Sequence, residues 1–214
     1  MKQRTDDDDF VPRRRSHLIG PAAQARALTA ATARLAARRQ RDALPHRIET
    51  PRLVLRAPIR GDVPDIVTLA DNRRIHEVLA RLPHPYTRAD GIAFVEIFAQ
   101  RPDERPYAVT LDDRFIGVVG FTYHEGEPPE LGYWLGEPHW GRGIMSEAVK
   151  ALLEAAFATH LYPRIKARAL ASNSGSLNVL EKAGFVRLRE DIETLGTGAG
   201  KPTVYLMLEQ PKWT

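Results

Sequence analysis

The stretch Glu130-Leu-Gly-Tyr-Trp-Leu-Gly-Glu-Pro-His-Trp-Gly-Arg-Gly-Ile-Met-Ser-Glu-Ala148 decides how this chain is read. Its first six residues, with Tyr133 and Trp134 among apolar neighbours, predict a strand. Gly141 and Gly143 punctuate the loop that follows. From about Gly143 to His160, Ala148, Leu152, Ala155 and Ala156 mark the buried side of a long helix. Strand, glycine loop and helix start in that order make a site for a phosphate or pyrophosphate. Glycines let backbone N–H groups turn toward a ligand. The helix start adds unpaired N–H donors and the positive end of its dipole. Arg142 adds a charge at the rim. The loop is not a P-loop, because no Gly-Lys-Ser/Thr follows it, and it lacks the third glycine of a dinucleotide fingerprint.

Downstream, Ile165–Ala169 reads as a strand and Ser174–Ala183 as a helix ended by Gly184. Asn173 and Ser176 stand at that helix's start, where both residue types cap helices without any ligand. Phe185–Glu193 and Thr203–Leu208 read as closing strands around the loop Gly196-Thr-Gly-Ala-Gly200. Upstream, Ile48–Arg56 reads as one strand, Asp62–Leu69 and Arg73–Leu82 as short helices, and Thr87 as the N-cap of a third helix. Tyr107–Leu111 and Phe115–Phe121 flank the polar turn Asp112-Asp113-Arg114 and predict a hairpin. This order describes one mixed α/β domain over residues 47–214, with central strands flanked by helices.

Residues 1–46 read as a separate basic, Ala/Arg-rich extension, partly helical or disordered. Asp6–Asp9 and Arg13–Arg15 open it, and a helical stretch from Pro21 to Leu44 ends at Pro45. Its thin alanine face suggests a helix that is solvated or weakly docked. Residues 1–47 carry a net charge of +6 and the remainder −2, within a total of +4. The basic balance therefore belongs to the extension, which admits nucleic acid or another acidic partner, and not to the domain. Cysteine is absent, which excludes disulfides, thiolate metal sites and a cysteine nucleophile. The seven histidines show no ligand spacing, so no metal is expected. No apolar run has membrane-spanning length and no signal-type segment opens the chain, so a cytoplasmic protein without membrane association is expected.

Taken together, Trp140-Gly-Arg-Gly-Ile-Met-Ser-Glu-Ala148 and Asn173-Ser-Gly-Ser-Leu-Asn-Val-Leu-Glu-Lys-Ala-Gly-Phe185 resemble the GNAT superfamily of N-acetyltransferases. More narrowly they are similar to the branch containing the ribosomal-protein N-terminal-alanine acetyltransferases RimJ and RimL. Glu49-Thr-Pro-Arg-Leu-Val-Leu-Arg56, Leu82-Pro-His-Pro-Tyr-Thr87 and Glu130-Leu-Gly-Tyr-Trp134 carry the same likeness, which covers residues 47–209. The resemblance implies an acetyl-CoA-dependent N-acyltransferase on the acyl-CoA N-acyltransferase fold. The family's pyrophosphate loop, Gln/Arg-x-x-Gly-x-Gly/Ala, falls on Trp140, Gly141, Arg142, Gly143, Ile144 and Met145, departing from the pattern at its first and last places. Asn173 and Ser176 match contacts to the pantetheine arm and the region near the thiol. Where many members carry a tyrosine that protonates the departing thiolate, this chain has Leu180, so Ser176 or a water must serve.

Acetyl transfer to an amine needs a base to strip the ammonium proton. Glu130 matches the family's strand glutamate and is the expected base, acting through water; Glu137 and His124 are lesser candidates, and His139 reads as an exposed residue at the loop entrance. Tyr86 and Tyr133 are the expected acceptor-pocket residues, whereas Trp134 reads as core. The acceptor is a protein N-terminus or a small-molecule amine, attacked directly in a ternary complex; a homodimer is admitted. The alternative is a catalytically silent acyl-CoA-binding or partner-binding module on the same fold, whose sequence support is Leu180.

Overall fold

In the computed structural model, residues 20–79, 82–193 and 199–210 are described. The acidic run Asp6–Asp9, the arginines 13–15, residues 80 and 81 of the expected second helix, and Gly196, Thr197 and Gly198 of the final loop lie outside them.

Helix α1 spans Pro21–Ala43. A short hairpin follows, β1 (Arg47–Glu49) and β2 (Leu53–Arg56). Three helices come next: α2 (Val63–Ala70), α3 (Arg73–His76) and α4 (Arg88–Glu96). Strands β3 (Glu104–Leu111), β4 (Arg114–Thr122) and β5 (Glu130–Leu135) lead into α5 (Ile144–Ala158). Strand β6 (Arg164–Leu170), helix α6 (Ser174–Lys182) and strands β7 (Val186–Ile192) and β8 (Pro202–Glu209) complete the chain. The eight strands form one sheet in the order β1-β2-β3-β4-β5-β6-β8-β7. All pairings are antiparallel except β5 with β6. This is the expected mixed sheet flanked by helices.

Two expectations are corrected. The single strand over 48–56 is a hairpin, because Thr50 accepts from the Leu53 N–H through Oγ1 at 2.8 Å and Pro51 has no N–H to continue a ladder. The helix expected over 73–82 stops at His76: Val78 and Leu79 donate to carbonyls only three residues back, so the α-helical ladder is lost. Elsewhere local chemistry agrees with position. Thr87 caps α4 in a reciprocal box with Asp90. Asp112 and Asp113, at φ of 50° and 61°, make the tight β3–β4 turn. Gly184 ends α6 in a Schellman motif, with Phe185 N–H on the Leu180 carbonyl and Gly184 N–H on that of Glu181.

The sheet separates two cores. Helices α5 and α6 cover one face over Leu131, Phe121, Ile165 and Leu206. Helices α2 and α4 cover part of the other over Ala108, Val118 and Phe115. Strand alternation therefore sends Leu131, Tyr133 and Leu135 toward α5 and α6, and Glu130, Gly132 and Trp134 to the α2/α4 face. Helix α1 is mostly exposed, with Leu28 and Leu35 on the surface, but its end is fastened. Leu44 is 2% exposed within the larger core, Gln40 Nε2 donates to the Leu161 carbonyl at 2.7 Å, and the Tyr162 hydroxyl donates to the Gln40 carbonyl at 2.9 Å.

Candidate active site

Strands β5 and β6 pair only at Glu130–Lys166 and Leu131–Ala167. Beyond that point they lose their ladder, and a cleft of about 1230 Å³ lies along the opening. Gly132, Tyr133, Trp134 and Leu135 border it from β5, and Arg168, Ala169 and Leu170 from β6. The cleft extends from the loop before α5 to Glu130 and Glu193, and residues of α2, α3 and α4 also line it.

At the loop end, Gly141 and Gly143 adopt φ of +73° and +71°, a conformation that favours glycine. The first intrahelical bond of α5 runs from Glu147 N–H to the Gly143 carbonyl at 3.1 Å. The N–H groups of Ile144, Met145 and Ser146 therefore precede the helical ladder and are available to an anion. Trp140 fixes the loop's entry: Nε1 donates to the Leu135 carbonyl at 2.7 Å, and Arg74 lies over its ring at 5.1 Å. Arg142 places its guanidinium beside His139 at 3.4 Å. His139 is half-buried rather than exposed, and burial together with the Arg142 charge lowers its pKa.

What braces this loop has no local signal in the chain. Glu147, in the first turn of α5, accepts from Thr50 Oγ1 at 2.6 Å and from Arg52 Nε at 2.7 Å. Arg52 also donates to the Arg142 carbonyl at 3.1 Å. The β1–β2 turn thus grips both the loop and the helix that follows it. Burial alone would raise the Glu147 pKa, but the Thr50 hydroxyl and Arg52 outweigh it and bring it below the ordinary carboxylate range.

At the middle of the cleft, Asn173 Oδ1 accepts from Ser176 N–H at 3.1 Å, so Asn173 is the N-cap of α6. Both residues line the cleft. Leu180 is 1% exposed in the core. Tyr133, on the α5/α6 face, bonds Ser176 rather than the α2/α4 wall. Trp134 packs partly buried against the α2/α4 core, as its core reading expects, and also lines the cleft. Tyr86 is buried in that core, its N–H on Asp71 Oδ1 at 2.9 Å, and burial pushes its hydroxyl pKa up to about 12.

The far end carries the charges. Glu104, Thr122, Glu130 and Lys166 stand side by side on four adjacent strands. Glu130 is 18% exposed; Oε1 accepts from Arg168 Nε at 3.0 Å, while Oε2 lies 3.4 Å from Lys166 Nζ and 3.5 Å from His124 Nε2. Arg168 also donates to Glu193 Oε2 at 2.7 Å. Glu104 and Glu193 are buried carboxylates on the cleft wall that sequence reasoning missed, because only the sheet order brings them near Glu130. Gly132 forms open floor between these groups and the loop: a Cβ there would meet nothing within 4 Å. Glu137 is engaged elsewhere, accepting from Asn72 Nδ2 at 2.7 Å and pairing with Arg74; these contacts lower its pKa. Among the described residues no group of three or more His, Asp or Glu converges to hold a metal, and no helix is long and apolar enough to cross a membrane.

A strand, a two-glycine loop and a helix N-terminus opening on a split parallel strand pair define an acyltransferase-type fold. Residues 52–186 match the model of the acetyltransferase (GNAT) domain, and the chain belongs to that family. It is similar to the probable N-acetyltransferase YjcK of Bacillus subtilis, 44% identical over 77 residues, covering 35% of this chain and 42% of that protein. It is also similar to the ribosomal-protein-serine acetyltransferase of Escherichia coli, 32% identical over 89 residues, covering 41% of this chain and 50% of that one, which agrees with the branch the motifs resemble. The chain thus spans half or less of the length of these curated relatives. Among solved structures, the spermidine N-acetyltransferase of Vibrio cholerae, in complex with CoA and spermine, superposes with a TM-score of 0.64 at 21% identity over 75% of this chain and 97% of that one. That likeness is one of fold.

Proposed function

We propose that this chain moves the acetyl group of acetyl-CoA to a primary amine, on a protein N-terminus or a small molecule, by direct attack in a ternary complex. The observation that carries the reading is the cleft opened by the β5–β6 split, which runs unbroken from the glycine loop to the Glu130 region. Its two ends are chemically different: backbone N–H donors at one, carboxylates at the other. The solved relative that holds CoA and spermine supports a two-substrate cleft on this fold.

In this reading the loop from Trp140 to Met145 and the start of α5 bind the pyrophosphate, and Asn173 and Ser176 border the pantetheine arm. Glu130 takes one proton from the ammonium, through water. The nitrogen attacks the thioester carbonyl, and the C–S bond then breaks with its electron pair going to sulfur. Ser176 passes its hydroxyl proton to sulfur and regains one from the acylated nitrogen, directly or through water, so the products are an amide and free CoA thiol. Arg168 holds Glu130 in orientation from β6. Tyr86 and Trp134 shape the apolar side of the acceptor pocket.

Initial rates with both substrates varied should give intersecting double-reciprocal lines. Replacing Glu130 with Gln should lower kcat by about 100-fold while leaving acetyl-CoA affinity within about twofold, the range expected for losing a general base. Parallel lines would rule out direct attack, and an unchanged kcat would remove Glu130 from the chemistry.

A further inference from the structure

Tyr133 has no task in the transfer as written, yet its hydroxyl enters the cleft at the residue that meets the leaving sulfur. It lies 3.0 Å from Ser176 Oγ and 3.0 Å from the Ser176 carbonyl. The two residues are 43 positions apart and arrive on different elements, β5 and the first turn of α6. Both are placed rigidly. Tyr133 extends from the strand that lines the split, and α6 is seated by the buried Leu177 and Leu180. Asn173 holds the Ser176 N–H, so the carbonyl and the hydroxyl are the Ser176 groups that face Tyr133.

We infer that Tyr133 is a positioning residue for the Ser176 hydroxyl, orienting from β5 the group that must serve where Leu180 leaves α6 without a proton donor. The inference rests on the proposed role of Ser176 toward sulfur. Proton accounting defines how it works. Each hydroxyl has one hydrogen. In the resting site Tyr133 donates to the Ser176 carbonyl, and the Ser176 hydroxyl can donate to the Tyr133 oxygen. When sulfur gains the electron pair of the breaking C–S bond, Ser176 turns its hydrogen to sulfur and Tyr133 turns its own to Ser176 Oγ. A donor on Oγ strengthens the outgoing donation of Ser176, because successive hydrogen bonds polarise one another. Tyr133 keeps its proton throughout; the proton that reaches sulfur comes from Ser176, and its replacement from the nitrogen. Burial pushes the Tyr133 pKa up to about 12, with the Ser176 bond opposing the rise, so the phenol is a neutral donor over the working pH range.

The test is a double-mutant cycle in full-length protein with Tyr133→Phe, Ser176→Ala and the pair, reading kcat, KM for acetyl-CoA, CoA affinity and melting temperature. Tyr133→Phe should lower kcat about 10-fold, the effect of one lost hydrogen bond, with KM and CoA affinity within about twofold. In the Ser176→Ala background it should have no further effect on kcat. A Tyr133→Phe enzyme with wild-type kcat, or a double variant whose losses multiply, would overturn the Tyr133 role while leaving the acetyl-transfer reading intact. Wild-type kcat in Ser176→Ala would overturn both residues' roles, and a wild-type chain that transfers acetyl to no amine would overturn this role together with the reading beneath it.

Discussion

Arg52 and Glu147, 95 residues apart in the chain, meet in a close ion pair, with guanidinium Nε 2.7 Å and NH2 2.6 Å from Glu147 Oε2. Through this pair the β1–β2 turn holds the first turn of α5, and the Arg52 bond to the Arg142 carbonyl holds the loop before it. The N–H donors of the loop are thereby set before a ligand arrives, which reduces the ordering that binding requires. Arg52→Ala should weaken CoA binding about 10-fold, the scale of one charge-assisted hydrogen bond, while kcat at saturating acetyl-CoA stays near wild type. Calorimetric titration with CoA checks this, and unaltered affinity would show that the loop keeps its shape unaided.

The same pair sets a pH dependence. Glu147 has a folded pKa below its unfolded value, so its contribution to stability is complete above the unfolded pKa of about 4.3 and is lost as pH falls through the folded value. Glu147→Gln should therefore be less stable than wild type at pH 7, and the gap should narrow below about pH 4. Urea unfolding of both proteins across pH 3–7 reads this directly; a gap that widens toward acid would contradict it.

Two glycines of the cleft separate backbone shape from open space. Gly143 sits at φ +71°, where alanine is strained by about 1–2 kcal/mol, so Gly143→Ala should impair CoA binding. Gly132 has room for a side chain, but that room is the cleft. Gly132→Val should fold normally, retain CoA affinity, and raise KM for the amine by at least about 10-fold through steric exclusion. Equal effects of the two substitutions on CoA affinity would argue against separate cofactor and acceptor ends.

Helix α1 is divided in a way that truncation can expose. Removing residues 1–36 leaves Gln40 and Leu44 in place and should change stability by less than about 1 kcal/mol. Removing residues 1–46 takes Leu44 from the core, along with the Gln40 carbonyl that accepts from Tyr162 and the Leu44 and Pro45 carbonyls that accept from Arg105. Losing one buried leucine and these acceptors should cost about 3–5 kcal/mol and lower the melting temperature by about 10 °C. Equal melting temperatures for the two truncations would show that α1 contributes nothing to the core.

The strand from Glu130 to Leu135 was legible to the residue, because an apolar-aromatic run bounded by Gly136 and Pro138 leaves little choice of ends. The cap at Thr87, the turn at Asp112-Asp113 and the stop at Gly184 were legible for the same reason: each rests on chemistry within five residues. The split of 48–56 into two strands was not, since the bond from Leu53 N–H to Thr50 Oγ1 is visible only once the chain has turned. Alternation alone shows that Tyr133 and Trp134 point to opposite faces, but which face packs on α2 and α4 depends on helices far upstream in the chain. Glu193 is the extreme case. Its partner Arg168 is 25 residues away, and nothing local marks either as part of the wall around Glu130.

Everything proposed for the cleft turns on whether acetyl passes from acetyl-CoA to an amine. The most direct measurement is release of CoA thiol from acetyl-CoA, with and without each member of a panel of primary amines and peptides with free N-termini, alongside mass detection of the acylated product. At least one amine should raise thiol release well above the rate without acceptor and gain one acetyl group in equal amount. CoA binding with no amine-dependent thiol release across the panel would contradict it and identify the chain as a catalytically silent acyl-CoA-binding module.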